Sequence, residues 1–110
     1  MNHKKTIAID FDGVIHKYSN GWQDGEIYDE QMERAEYALK NLKSKGYKIV
    51  VFTTRGGDKA QRINMVNWFR DEGLSNYIDE ITDKKPPAVA YIDDRGIRFT
   101  NWDDIVKYFA

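Results

Sequence analysis

Residues able to do chemistry stand just past each apolar run of this chain: Asp10 and Asp12, then Thr53, Thr54 and Arg55, then Lys84 and Lys85, then Asp93 and Asp94. Ligands of open parallel sheets bind outside the carboxyl ends of the strands, so these are the side chains to inspect together. Two carboxylates about 5 Å apart repel by roughly 3 kcal/mol at an effective dielectric of about 20. Three or four of them need a cation to stay ionised, and one Lys offsets only part of the repulsion. With no Cys, and with His only at positions 3 and 16, the donors are carboxylate oxygens, which suit a hard divalent ion and point to Mg²⁺.

A metal held by Asp oxygens beside a Lys and a hydroxyl is equipped for phosphate chemistry, which is mostly positioning and charge neutralisation. Asp10 ends a buried run, so its carboxylate is held for in-line attack on phosphorus. Asp12, two residues on, is placed to act as general acid and then base. Gly13 lets the chain turn away without crowding the phosphate. Thr53 offers a hydroxyl to a phosphate oxygen, with Thr54 competing for that place. Lys85 balances the carboxylates and contacts the phosphate; Arg55 reaches either a substrate anion or a structural partner. Asp94, with Asp93 beside it, completes the metal shell. For His16 and Tyr18 a surface loop is the bland reading, and Trp22 reads more as an anchor for that loop than as a substrate platform.

The elements that must position these residues can be read from periodicity. Thr6 to Ile9 is a short β-branched run, a buried strand. Residues 13 to 29 are broken by Gly, Asn and Asp into a loop with turns. From about Glu30 to Lys45, Met32, Ala35, Ala38, Leu39 and Leu42 recur at helical spacing, and Gly46 stands where a left-handed cap belongs. Tyr47 to Phe52 is a second strand. Asp58 is a candidate N-cap for a helix through Ile63, Val66, Trp68 and Phe69, ending near Gly73. Tyr77 to Thr82 and Val89 to Ile92 are further strands, Ile97 to Phe99 an edge strand. Asn101 caps a last helix with Trp102, Ile105, Val106 and Phe109 inward. Helices alternating with strands predict an α/β fold around a mostly parallel central sheet.

Asp10-Phe11-Asp12-Gly13-Val14, then Thr53-Thr54-Arg55 after an apolar run, then Lys85-Pro86 and Ile92-Asp93-Asp94 resemble the four ordered motifs of the haloacid dehalogenase superfamily. The resemblance covers nearly the whole chain. It implies a Rossmann-like three-layer sandwich, an aspartyl-phosphate at Asp10, and Mg²⁺ held by Asp10, the backbone carbonyl of Asp12, and Asp94. Many members carry a cap domain, and residues 14 to 30 and 79 to 85 leave no room for one. The chain therefore resembles the small capless phosphatases, whose open site serves a large or exposed phosphoryl end or borrows a neighbouring subunit as cover. A homo-oligomer is one expectation that follows.

Composition bounds the rest. The 110 residues fit one domain, and 41% hydrophobic with only 2 Pro argues against disorder. A net charge of −1 gives no general footprint for nucleic acid, although a nucleic-acid phosphate end is not excluded as substrate. No apolar run approaches the ~20 residues a membrane helix needs, and the N-terminus lacks a signal peptide's apolar stretch, so no membrane partner and a cytoplasmic location are expected. The competing functions are a receiver-like domain that only accepts phosphate and a non-catalytic phosphate-binding module.

Overall fold

The computed structural model describes residues 5–93 and 97–110. Five strands, β1 (Thr6–Ile9), β2 (Lys48–Phe52), β3 (Glu80–Thr82), β4 (Ala90–Asp93) and β5 (Ile97–Arg98), form one sheet in the order β3-β2-β1-β4-β5. All four pairings are parallel. Three helices, α1 (Ala35–Ser44), α2 (Lys59–Asp71) and α3 (Trp102–Tyr108), complete an α/β Rossmann-like fold with no cap. Among the described residues no helix is long and apolar enough to cross a membrane.

The apolar runs form strands because β1 and β2 are buried on both faces, the usual state of a parallel sheet's centre. Ile7 pairs with Ile49, and Ile9 with both Val51 and Ile92, so these five share one face. They join Leu39 and Leu42 of α1, Met65 and Phe69 of α2, and Trp102 and Ile105 of α3 in one core. Ala8, Val50 and Tyr91 form the row on the opposite face. Strand alternation carries that face on to Asp10, Phe52 and Asp93.

Local signals fix the helix ends. Asp58 caps α2 by accepting the Gln61 N–H at 2.9 Å, and Asn101 caps α3 by accepting the Asp104 N–H at 2.8 Å. Gly46 and Gly73 close α1 and α2 at φ 87° and 75°, a backbone that favours glycine.

Three elements depart from the periodicity. The helix expected from about Glu30 begins only at Ala35. Arg34 is left-handed at φ 71°, the Met32 N–H goes to the Ile15 carbonyl, and the Gln31 N–H goes to the Glu72 carboxylate. Tyr77 belongs to a 3₁₀ turn, Ser75–Tyr77, which shortens β3 to three residues. On α2 the buried face is Met65, Trp68 and Phe69, while Ile63 and Val66 are exposed. Residues 65, 68 and 69 keep the one-face spacing, and 63 and 66 fall off it.

Candidate active site at the carboxyl ends of the strands

Asp10 follows β1, the middle strand, and its backbone N–H donates to the Ile92 carbonyl at 3.0 Å. That bond continues the pairing of Ile9 with Ile92 and brings Asp10 beside Asp93 on the neighbouring strand, about 4.8 Å away across a parallel pair. On the other side the Thr53 N–H donates to the Thr82 carbonyl at 2.9 Å, fixing the end of β2 against β3. A cleft of about 390 Å³ opens there, lined by Asp10, Asp12, Thr53, Thr54, Asp83 and Asp93, with Ala8, Phe52, Tyr91 and Ile92 as its walls. Residues from the ends of four of the five strands, β1 to β4, therefore meet in one place.

A larger hollow of about 590 Å³ lies between α2 and the β3 edge, where Ile63, Val66, Phe69 and Ile81 contribute its apolar lining. It contains none of the converging carboxylates at the ends of β1 and β4. The carboxylates gather in the smaller cleft.

Asp10 Oδ1 accepts the Phe11 N–H at 2.7 Å, which fixes the carboxylate at the cleft floor. Gly13 then turns the chain at φ 81°, with its N–H donating to the His16 carbonyl at 2.8 Å. Asp12 is gripped on both oxygens: His16 Nδ1 lies 3.0 Å from Oδ1, and Arg55 Nε lies 2.8 Å from Oδ2. The fully buried His16 accepts the Asp29 N–H at Nε2, which puts the ring proton on Nδ1 and makes Nδ1 the donor to Asp12. Phe11 stacks on the imidazole at 5.4 Å between centroids, and Trp68 meets it edge-on.

Arg55 is 3% exposed. Besides Asp12, it donates from Nη1 to the Gly25 carbonyl at 2.7 Å and to Gln61 Oε1 at 2.8 Å. Its Nη2 is buried without a hydrogen-bond partner among the described residues. A donor left so costs about 1–3 kcal/mol. Of the two roles open to Arg55, the contacts favour the structural one. It joins the cleft to the segment 13–34 and to α2.

Thr53 is nearly buried, and its Oγ1 accepts the Arg55 N–H at 3.4 Å at the start of the 3₁₀ turn Thr54–Gly57. Thr54 is exposed and lines the cleft as well, so both hydroxyls are at hand. Lys85 is exposed, with its ammonium over the Tyr91 ring at 4.6 Å from the centroid, one side chain removed from the cleft lining. Asp94 lies outside the described residues.

In the segment between β1 and α1, Asp29 accepts the Ser19 hydroxyl and N–H, and these bonds hold its carboxyl below the usual value. The Lys17 amine is pushed up by its hydrogen bond to Glu30.

The donor set is one of hard oxygens. Asp10 and Asp93 share the cleft with the Asp12 carboxylate, which His16 and Arg55 engage. Among the described residues no group of three or more His, Cys, Asp or Glu side chains is arranged to hold a metal. The pair suits a cation such as Mg²⁺ in chemistry, and Asp12 and Asp83 are the other carboxylates of the cleft lining.

No family model matches the chain. No curated protein matches it either. Its fold has a solved counterpart. A conserved protein from Bacteroides thetaiotaomicron superposes with a TM-score of 0.68 at 24% identity, over 97% of this chain and 93% of that one. At that identity the likeness speaks for the fold alone.

Asp83, Tyr91 and Gln61 were not legible as site residues from motifs. Asp83 directly follows β3, and Tyr91 lies two residues before Asp93 on the same strand face, so strand-end position and alternation were the signals available. Gln61 reaches Arg55 across one turn of chain, which no motif announces.

Proposed function

We propose that the chain is a Mg²⁺-dependent phosphomonoester hydrolase with Asp10 as nucleophile. One observation carries the reading: Asp10 and Asp93 stand side by side on adjacent parallel strands, in a cleft that also presents Thr53 and Thr54. A divalent cation bound there would screen the carboxylates from the incoming phosphate and neutralise its developing charge. Asp10 attacks phosphorus, forming an aspartyl-phosphate as the alcohol leaves. Asp12 supplies the proton to the leaving oxygen and takes one from the water that releases phosphate. Thr53 or Thr54 donates its hydroxyl to a phosphoryl oxygen. The N–H groups that follow in the turn Thr54–Gly57 lie beside those hydroxyls. Lys85 supports the site as a nearby positive charge, over Tyr91.

The grip on Asp12 favours a second reading. Both of its oxygens already accept hydrogen bonds, so proton delivery uses a remaining lone pair or requires one contact to open. A chain that keeps that grip throughout accepts phosphate on Asp10 and releases it slowly, as a receiver-like domain does.

The test is Mg²⁺-dependent turnover of p-nitrophenyl phosphate by the wild type and by Asp10→Asn. The hydrolase reading expects many turnovers in the wild type and a loss of about a thousandfold or more in the variant, on the scale by which nucleophile removal disables enzymes. A stoichiometric burst with no further turnover selects the receiver-like reading. Equal turnover by the variant ends the hydrolase reading.

A further inference from the structure

The chain has three Trp, and it treats one differently from the others. Trp68 and Trp102 are buried, and their indole N–H groups donate to the carbonyls of Asp29 and Val14. Trp22 is 59% exposed. A single exposed indole is ordinary on a protein surface.

The ring is nonetheless held in place. One face lies over the Arg55 guanidinium, 5.0 Å from centroid to Cζ, and that guanidinium is fixed by its bonds to Asp12, Gly25 and Gln61. The ring's edge lies against Gly25, where an added Cβ would meet Cη2 at 3.7 Å. A cation–π contact below and a glycine at the rim leave the upper face exposed and preset.

The platform lies next to the cleft. The guanidinium carbon under the indole is one bond from the Nε that touches Asp12, and Asp12 lines the cleft. By way of that guanidinium the indole centroid is within roughly 9 Å of Asp12 Oδ2, a separation on the scale of a nucleoside monophosphate. Flanking Trp22 in sequence, Asn20, Gln23 and Glu26 line a shallow hollow together with Tyr28. Gln23 Nε2 there donates to the Asn20 carbonyl at 2.9 Å, and amides and carboxylates are the kind of groups that read the edge of a base.

We infer that Trp22 is a stacking platform for the base of a nucleoside monophosphate whose phosphate occupies the cleft at Asp10. The inference rests on the hydrolase reading and gives it a substrate class. Stacking favours a base because its flat face matches the indole. A bare sugar phosphate reaches the same cleft without covering the ring.

The test compares adenosine monophosphate, ribose phosphate and a hexose phosphate in the presence of Mg²⁺, with wild type and Trp22→Ala. The wild type is expected to prefer the nucleotide over ribose phosphate by about tenfold in kcat/KM, chiefly through KM, within the range that base–aromatic stacking supplies. In Trp22→Ala the ratio falls to about one. No nucleotide preference in the wild type, or the same preference in the variant, overturns the platform, and a preference for the hexose phosphate assigns the ring to a sugar instead. Intrinsic tryptophan emission supplies a readout independent of turnover. Adenosine monophosphate is expected to quench the wild type and to leave Trp22→Ala unquenched. If that quenching is seen while no phosphate ester is hydrolysed, the platform stands and only the hydrolase reading falls. If esters are hydrolysed without quenching or nucleotide preference, the hydrolase reading stands and the platform falls.

Discussion

Arg55 Nε meets Asp12 Oδ2 at 2.8 Å, across 43 positions of sequence. The contact joins the turn after β1 to the 3₁₀ turn after β2. It does so at the cleft, where Asp12 is partly exposed and Arg55 is nearly sealed. The same guanidinium holds the Gly25 carbonyl and Gln61, so one side chain ties together three segments that the backbone alone leaves independent. A planar fork with five donors can do this; a point charge on a flexible stem cannot.

Arg55→Ala is therefore expected to lower stability by on the order of 3 kcal/mol, the usual scale for removing one partner of a buried ion pair. Urea unfolding should show the midpoint falling at an unchanged slope. Arg55→Lys keeps the charge but cannot span Asp12, Gly25 and Gln61 together, so it should recover only part of the loss. A midpoint for Arg55→Ala equal to the wild type's would show that the three contacts contribute nothing net.

The two glycines after Arg55 differ in what they face. A Cβ on Gly56 would lie 2.6 Å from the Thr82 carbonyl carbon and 2.9 Å from the Asp83 nitrogen, both backbone atoms. One on Gly57 would meet the Asp83 carboxylate at 2.4 Å, the end of an exposed side chain that can rotate away. Gly56→Ala is expected to cost about 1–3 kcal/mol through backbone displacement, and Gly57→Ala less than about 1 kcal/mol. On the hydrolase reading, Gly56→Ala should also depress turnover, because Thr53 and Asp83 line the cleft. Calorimetric midpoints of the two variants decide the order, and a Gly57→Ala loss as large as that of Gly56→Ala contradicts it.

What the sequence made legible was whatever depends on neighbours along the chain. Continuous apolar runs gave the buried strands, Asp58 and Asn101 gave the caps, and Gly46 and Gly73 gave the helix ends. The rule that sites form past strand ends singled out Asp10, Asp12, Thr53, Thr54, Arg55, Lys84, Lys85, Asp93 and Asp94; Asp10, Asp12, Thr53, Thr54 and Asp93 line the cleft, Lys85 stands outside its lining over Tyr91, and Asp94 lies outside the described residues. Contacts between distant segments were not legible. Arg55 meets Asp12 across 43 positions, where the ends of β1 and β2 lie side by side, and the segment 13–34 packs against α2 through the Gln31–Glu72 and Trp68–Asp29 hydrogen bonds. The same packing ends the expected early start of α1. Ile63 and Val66 had the right chemistry for a core and the wrong angle on the helix.

Acid should loosen the segment between β1 and α1. The Ser19 hydroxyl and N–H donate to Asp29 and hold its carboxyl below 3.8, its ordinary value. A carboxyl with a depressed folded value contributes stability above the unfolded value, and that contribution disappears as pH falls through the folded one. In Ser19→Ala the depression is smaller, so the loss should be complete at a higher pH. Following the Asp29 side-chain carbon by NMR during an acid titration tests this: an unchanged midpoint in Ser19→Ala means that the hydroxyl does not set the shift.

On the hydrolase reading, Asp10 and Asp93 hold a divalent cation, so the cation stabilises the fold. Asp10→Asn removes one of its ligands. At about ten times its dissociation constant for the wild type, Mg²⁺ should stabilise the wild type by about 1.4 kcal/mol and Asp10→Asn by much less. Thermal unfolding of both proteins across a Mg²⁺ series measures the difference directly. Parallel curves, with neither protein responding to millimolar Mg²⁺, would leave the paired carboxylates without a metal to hold.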